Sequence, residues 1–285
     1  MKILLTGCSG QVGYELERSL QGLGEVVAVD RARMDLAELD QVRAVIREVR
    51  PDLIVNPAAY TAVDQAEREP ELAFRVNAEA PAVMAEECKR LGAALVHYST
   101  DYVFDGTQAG PRVETDATGP INVYGRSKLA GEQAIAAAGI RHLILRTSWV
   151  YGMRGKNFLL TMLRLARERD ELRVVADQHG APTWSRSIAD GTALILAQAQ
   201  AGGADWWQRH GGTYHLSSQG QTTWFEFTQA ILAEAQIDCR LLPIGTAEYP
   251  LPAPRPQHSV LSSELLMSRF CRLPHWREAL RLCLK

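Results

Sequence analysis

Short apolar runs alternate with longer amphipathic stretches from the first residues onward. Segments 3–6, 26–29, 53–56, 94–99 and 143–147 are too short and too uniformly apolar for helices, and read as strands buried on both faces. Between them, 12–20, 36–49, 71–91 and 122–138 carry apolar residues at helical spacing, with Pro51 as a stop after the second and Gly92 as a C-cap after the third. Strand then helix, repeated, predicts an α/β fold. It is a Rossmann-type, doubly wound parallel sheet with right-handed crossovers and helices on both faces.

The alternation weakens after Tyr151. Helices are expected at 157–168, 187–201 and 223–235, short strands at 173–176 and 212–216, and a last helix at 275–282. HGAPTWS (179–185) and GGADWWQRHGG (202–212) read as loops, and the run from Pro243 to Pro256, with five prolines, as irregular chain. The expected organisation is a nucleotide-binding domain of 1–150 rejoined by 187–217. A smaller C-terminal substrate-binding lobe would comprise 151–186 and 218–285.

Composition narrows the function classes. A length of 285 residues, 46% hydrophobic and 22% charged, suits a globular α/β protein. The net charge of −2 gives no bias toward nucleic acid or an anionic membrane. Five cysteines without a C-x-x-C pair read as reduced thiols of a cytoplasmic protein. The apolar run in MKILLTG is too short for a signal peptide, and no segment approaches the roughly 18 apolar residues of a membrane span.

Two stretches carry chemistry. Thr6-Gly7-Cys8-Ser9-Gly10-Gln11-Val12-Gly13 follows the first strand and opens the first helix with glycines spaced G-x-x-G-x-x-G. Such glycines permit a tight turn and a close backbone approach to a pyrophosphate, which the helix start then favours. Asp30 ends the second strand 17 residues past Gly13, where a carboxylate can accept from ribose hydroxyls and favour NADH. Arg31 and Arg33 follow at once and allow NADPH, and a capped loop is the structural alternative for Asp30. In the second stretch, VYGRSKLAGE, Tyr124 and Lys128 stand one helical turn apart behind a helix-starting Asn122, with Ser99 and Thr100 at the carboxyl end of a strand. A ketone accepting hydride needs a proton on its oxygen. A phenol with a pKa of about 10 donates reluctantly, and an adjacent ammonium would lower that value. Thr100 could hold the carbonyl oxygen by a hydrogen bond. The alternative is a surface helix with a chance Tyr and Lys.

The glycine pattern, the Ser99-Thr100 pair and Tyr124-x-x-x-Lys128 together resemble the extended short-chain dehydrogenase/reductase superfamily. STDYVFDG, DQHGAPT, NPAAYTAVDQAE, LRTSWVYG and RPQHSVL narrow the likeness, over about residues 1–265, to the dTDP-4-dehydrorhamnose reductase family. The resemblance implies NAD(P)H-dependent reduction of the C4 ketone of dTDP-4-dehydro-β-L-rhamnose to dTDP-L-rhamnose, a donor for surface polysaccharide such as lipopolysaccharide O-antigen. It implies catalytic roles for Thr100, Tyr124 and Lys128, with Lys128 also on the nicotinamide ribose. Gly7, Gly10, Gln11, Val12 and Gly13 would form the pyrophosphate loop. Asp30 and Arg31 would face the ribose, Asp35 and Leu36 the adenine, while Ala58, Ala59 and Tyr60 would line the channel. Val63, Asp101 and Trp149 would contact the nucleotide sugar, with Arg255 on its diphosphate; the plain alternatives are a turn cap for Asp101 and a core position for Trp149. Some members are homodimers sharing Mg2+ through glutamates; Glu15 is present here without an evident set of further ligands. His258 and Ser262 depart from the family, which often has Asn and Asp there. A nucleotide-sugar epimerase and a non-catalytic regulatory subunit of the methionine adenosyltransferase type are the alternatives within this resemblance.

Overall fold

The computed structural model describes residues 1–285, apart from the side chain of Ala204. Its first half is built from β1 (Lys2–Leu5), α1 (Gln11–Ser19), β2 (Glu25–Ala28), α2 (Leu39–Val49) and β3 (Leu53–Asn56). It continues through α3 (Val63–Ala66), α4 (Pro70–Phe74), α5 (Ala80–Leu91), β4 (Ala94–Thr100), α6 (Val123–Ala137) and β5 (His142–Thr147). The second half holds β6 (Val150–Tyr151), α7 (Phe158–Glu168), β7 (Glu171–Val175), β8 (His179–Gly180), β9 (Thr183–Trp184), α8 (Ser185–His210) and β10 (Gly212–His215). It ends with β11 (Thr222–Thr223), α9 (Trp224–Ala235), β12 (Arg240–Ile244), α10 (Glu264–Arg269) and α11 (Trp276–Cys283).

Six parallel strands form the central sheet in the order β10-β5-β4-β3-β1-β2. Alternate residues of each strand feed two cores. Ile3, Leu5, Val55, Val96 and Leu145 pack with α1 and α8 on one face. Leu4, Ile54, Leu95 and Ile144 pack with α2, α5 and α6 on the other. From β1 the chain moves outward to β2, then crosses to β3 on the opposite side. That reversal opens a crevice beyond the carboxyl ends of β1 and β3, where such sheets receive ligands. Leu266 and Leu273, late in the chain, pack into the α1–α8 core.

The expected strands and most helices appear within two or three residues, with Gly92 as the left-handed C-cap of α5. Five segments differ, the first being HGAPTWS (179–185), expected as a loop, which holds the two-residue strands β8 and β9 and the first residue of α8. The helix expected over 36–49 begins at Leu39, because Asp35 accepts from the Ala37 N–H and holds a turn there. The stretch 71–91 is interrupted by a π-helical segment, Arg75–Glu79. This extra residue per turn aims buried Asn77 inward, where it bonds both backbone groups of Tyr60 and the Ser127 hydroxyl. GGADWWQRHGG is not a surface loop: α8 runs to His210 across a break at Gly203, and Trp206 is buried in the core. Burial of that indole outweighs the poor helix propensity of Gly202 and Gly203. Pro243 lies in a strand, β12, whose only partner is β7, so its missing N–H faces no second neighbour. Among the described residues no helix is long and apolar enough to cross a membrane.

Candidate active site

Gly7 follows β1 with φ +57, and the Gly10 N–H returns to the Gly7 carbonyl at 2.9 Å, closing a tight turn. A Cβ on Gly13 would stand 2.1 Å from that carbonyl oxygen, so only glycine lets α1 start this close to the turn. Gly10 offers no side chain to the first N–H groups of α1, which leaves them for an anion. These residues head a cleft of 550 Å³. Gly7, Gly10, Gln11, Val12 and Gly13 line one end; Arg31, Asp35 and Leu36 line it after β2, and Ala58, Ala59 and Tyr60 after β3. The cradle therefore fits a dinucleotide. Asp30 is absent from the lining: its carboxylate accepts from the Ala32 and Arg33 N–H groups at 3.0 and 3.2 Å, the capped loop. Lys156, which the sequence reading passed over, also lines the cleft. Its loop is tied down by Asn157, which donates to Gln11 Oε1 at 2.8 Å. A lysine in the glycine-flanked stretch GMRGKN was the available signal.

Tyr124 and Lys128 reach the same cleft from α6. The helix starts where expected: the Asn122 side chain accepts from the Gly125 N–H at 2.8 Å and donates to the Pro254 carbonyl at 2.9 Å. Lys128 is buried, its Nζ donating to the Tyr98 carbonyl at 2.6 Å and meeting His97 Nε2 at 3.1 Å. Burial lowers its pKa to about 8, partly opposed by the Glu132 carboxylate. The phenol of Tyr124 moves the opposite way to the sequence expectation, up to about 12. Burial disfavours the phenolate, Thr100 pulls back through a hydrogen bond, and Asp101 adds to the rise. The lysine's contacts lie beneath it, against β4, so its charge does not dominate at the phenol.

Thr100, the last residue of β4, donates to Asp101 Oδ1 at 2.9 Å and accepts from the Tyr102 N–H at 3.2 Å. Its hydroxyl can turn to donate to the Tyr124 phenolate, which is the sense in which this hydrogen bond lowers the phenol's pKa. Asp101 is buried, and burial pushes its carboxyl up to about 6 against the lowering effect of hydrogen bonds from Ser259 and Thr100.

A second cleft, of 880 Å³, opens on the other side of Tyr102, whose ring meets Tyr124 edge-on at 5.6 Å. Trp224, Arg169, Arg173, Arg255 and the turn at Tyr249 are on its walls. Arg255 is ion-paired with Asp64 at 2.8 Å. Val63, Asp101 and Trp149 line neither cleft. Trp149 takes a left-handed backbone, φ +47, and stacks on Trp224 with centroids 3.4 Å apart. His258 stacks on His179 at 5.1 Å, and the Ser262 N–H bonds the Arg112 carbonyl, so the stretch that departs from the family pins the late chain to two earlier loops. Glu15 is paired with Arg186 at 2.9 Å, and among the described residues no group of three or more His, Cys, Asp or Glu side chains could hold a metal.

The switch-point crevice, the glycine turn at its head and a Tyr-x-x-x-Lys helix on its wall define the architecture of the extended short-chain dehydrogenase/reductases. A family model described as RmlD substrate binding domain matches residues 1–285, the full length rather than the expected 1–265. The dTDP-4-dehydrorhamnose reductase of Burkholderia thailandensis is 52% identical, over 100% of this chain and 98% of that protein. That of Escherichia coli K12 is 44% identical, over 97% and 95%. Among solved structures, the dTDP-4-dehydrorhamnose reductase of Bacillus anthracis in complex with NADP superposes with a TM-score of 0.90 at 37% identity, covering 99% of this chain and 98% of that one. The chain belongs to the RmlD family of dTDP-4-dehydrorhamnose reductases. A Thermus thermophilus UDP-glucose 4-epimerase, 23% identical with a TM-score of 0.83, shares the fold.

Proposed function

We propose that this chain reduces the C4 ketone of dTDP-4-dehydro-β-L-rhamnose with NADPH or NADH, giving dTDP-L-rhamnose. The observation that carries this reading is that Tyr124 and Lys128 face the same cleft as the glycine turn. The reduced nicotinamide, when bound, supplies a hydride to the carbonyl carbon. Burial keeps the Tyr124 phenol protonated, so it has a proton to give to the carbonyl oxygen as that oxygen becomes an alkoxide. The Lys128 ammonium then steadies the phenolate left behind, and the Thr100 hydroxyl donates to the same oxygen. Gly7, Gly10, Gln11, Val12 and Gly13 hold the pyrophosphate. Ala58, Ala59 and Tyr60 form the channel wall, and Asp35 and Leu36 the adenine end. With the Asp30 carboxylate turned onto its own loop, Arg31, on the cleft wall, suits a 2′-phosphate and thus NADPH, while Arg33 is paired with Glu48 at 3.2 Å.

The nucleotide end of the substrate occupies the second cleft, with its ketosugar extending past Tyr102 to Tyr124 in the first. Arg255 lies on its diphosphate, and Val63, Asp101 and Trp149 support its walls. This assignment divides the chain into a coenzyme domain, 1–150 with 187–217, and a substrate lobe, 151–186 with 218–285. Five free thiols suit the cytoplasm, where nucleotide sugars are made. A second copy of the chain remains the natural partner to seek.

The test offers the purified protein a panel of nucleotide-4-ketosugars with each reduced coenzyme. Loss of nicotinamide absorbance stoichiometric with the dTDP-linked ketosugar is the expected result. Sugar interconversion with a flat coenzyme trace would instead establish an epimerase.

A further inference from the structure

Beneath the cleft floor, a chain of buried polar side chains crosses three strands from the glycine turn to Lys128. The Thr6 hydroxyl lies 2.6 Å from Asn56 Oδ1, Asn56 Nδ2 lies 3.1 Å from His97 Nδ1, and His97 Nε2 lies 3.1 Å from Lys128 Nζ. All four side chains are buried, with Asn56 and His97 fully inaccessible. Asn56 and His97 are register partners on β3 and β4, and Thr6 immediately precedes Gly7. Four linked polar groups in a sheet interior are costly unless each donor meets an acceptor.

We propose that His97 is the positioning residue for Lys128, and that the Thr6–Asn56–His97 chain reverses its hydrogen-bond direction when Lys128 changes charge. The first part rests on the reading of Tyr124 and Lys128 as the reducing site.

Counting hydrogens leads there. A neutral imidazole has one N–H. With the Asn56 amide placed as above, Nδ1 accepts and Nε2 carries the hydrogen. That hydrogen faces Nζ, which can receive it only as an uncharged amine. When Lys128 is an ammonium, Nε2 must accept. The hydrogen then sits on Nδ1, the Asn56 amide turns to present Oδ1, and its Nδ2 donates to Thr6. Both arrangements satisfy His97 and Asn56, and one proton on Lys128 selects between them. In the charged arrangement two of the three ammonium hydrogens are fixed from below, by Tyr98 and His97, which leaves the third free to point into the cleft.

The surroundings allow such a switch. His97 stays neutral because burial and the Lys128 charge both push its pKa well below the usual value. Few other charges reach Lys128. Glu132 on its own helix is committed to Arg146 of β5, at 2.6 Å. The π-helical segment presents neutral Asn77 to the same helix, through Ser127. Asp101 faces Tyr124 across Thr100. The lysine itself is poised to titrate near pH 8.

The experiment uses full-length protein labelled with 15N-histidine, the His97 signals being assigned by their loss in His97→Gln. Imidazole nitrogen shifts distinguish the two tautomers. Spectra at about pH 6.5 and about pH 9.5 bracket the lysine transition. The Nδ1–H tautomer at the lower pH and the Nε2–H tautomer at the higher are expected; one tautomer at both, or an imidazolium at either, overturns the switch. For the positioning role, the pH profile of kcat/KM is compared among variants. Removing the acceptor in His97→Phe should move the alkaline limb down by about one pH unit and lower kcat roughly tenfold with little change in the sugar KM. His97→Gln, whose Oε1 can accept from Nζ, should restore most of both. An unmoved limb in His97→Phe, or no rescue by His97→Gln, overturns the role. If His97→Phe does not fold, a His97→Gln profile with the limb displaced by a full unit does the same. Tyr124→Phe and Lys128→Met are measured alongside. Activity retained in these would sink the site reading itself; activity lost in these with the His97 limb unmoved sinks only the present inference.

Discussion

Around the coenzyme cleft the sheet strands are four to seven residues long, and backbone hydrogen bonds carry the frame. Along the second cleft run β7 and β12, a parallel pair of five residues each, while β6, β8, β9 and β11 elsewhere in the second half have two residues each, and side-chain packing carries more of the frame. Trp149 stacks on Trp224, Phe158 packs against Trp224 at 4.4 Å, and Phe227 meets Tyr151 at 5.3 Å and Trp276 at 5.9 Å. A ladder-built site depends on where the backbone can go, so its sensitive positions are glycines. A site walled by aromatics depends on volume and stacking, so its sensitive positions are large side chains. The two regions meet at the Tyr102–Tyr124 contact.

That contrast can be broken first where the regions meet. Tyr124→Phe removes the proton donor and nothing else of size. Turnover should fall about 10²- to 10⁴-fold with coenzyme binding intact, read by steady-state coenzyme oxidation and a coenzyme titration. Trp224→Ala should be the largest purely structural loss. A partly buried indole stacked at 3.4 Å is worth about 2–4 kcal/mol. Urea unfolding checks this, together with a raised sugar KM and an unchanged coenzyme affinity; weakened coenzyme binding instead would erase the distinction between the two regions. Gly13→Ala is the mirror experiment. Its Cβ would collide with the Gly7 carbonyl at 2.1 Å, and the backbone must shift. Coenzyme affinity should drop about 10- to 100-fold, the equivalent of roughly 1–3 kcal/mol of strain, while the sugar KM moves little.

The smallest effect has the opposite sign. Burial pushes the Asp101 carboxyl up to about 6 in the folded protein, from 3.8 for a free aspartate side chain. The folded state thus holds the proton more tightly. The resulting stabilisation is complete below the unfolded value and is lost as pH rises through the folded one. Asp101→Asn never acquires the charge, so at pH 8 it should be about 1–3 kcal/mol more stable than the parent. The advantage should shrink toward zero below about pH 4. Thermal unfolding across that range measures it, and an Asn variant less stable at every pH would show that the carboxylate is needed by Thr100 and Ser259 for structure.

Much of the coenzyme half was legible because its signals are local. An apolar run of four residues, a glycine turn and an Asn N-cap each act within a few positions, and β1, the Gly7–Gly13 turn and Asn122 stand where the pattern placed them. Tyr124 and Lys128 came together because helical spacing alone puts them on one face. Other features depend on distant partners. Asn77 turns inward for Tyr60 and Ser127, Trp206 is drawn into the core from a glycine-rich stretch, and Pro243 is tolerated because β12 has a single neighbour. Asp30 depends on its loop as well. Its position fits a ribose contact, and N–H groups two and three residues on take one of its carboxylate oxygens.

By itself, then, the order of apolar runs and turns determined a parallel α/β sheet, the glycine turn at its edge and the shared face of a phenol and an amine, since each is set by short-range geometry. Only the tertiary structure decided the ionisation of that pair. Burial raises the phenol and lowers the amine, and part of what buries them is β4 with the turn after it, where Asp101 adds to the rise of the phenol. Desolvation depends on everything packed around a group, and no local pattern of residues encodes that sum.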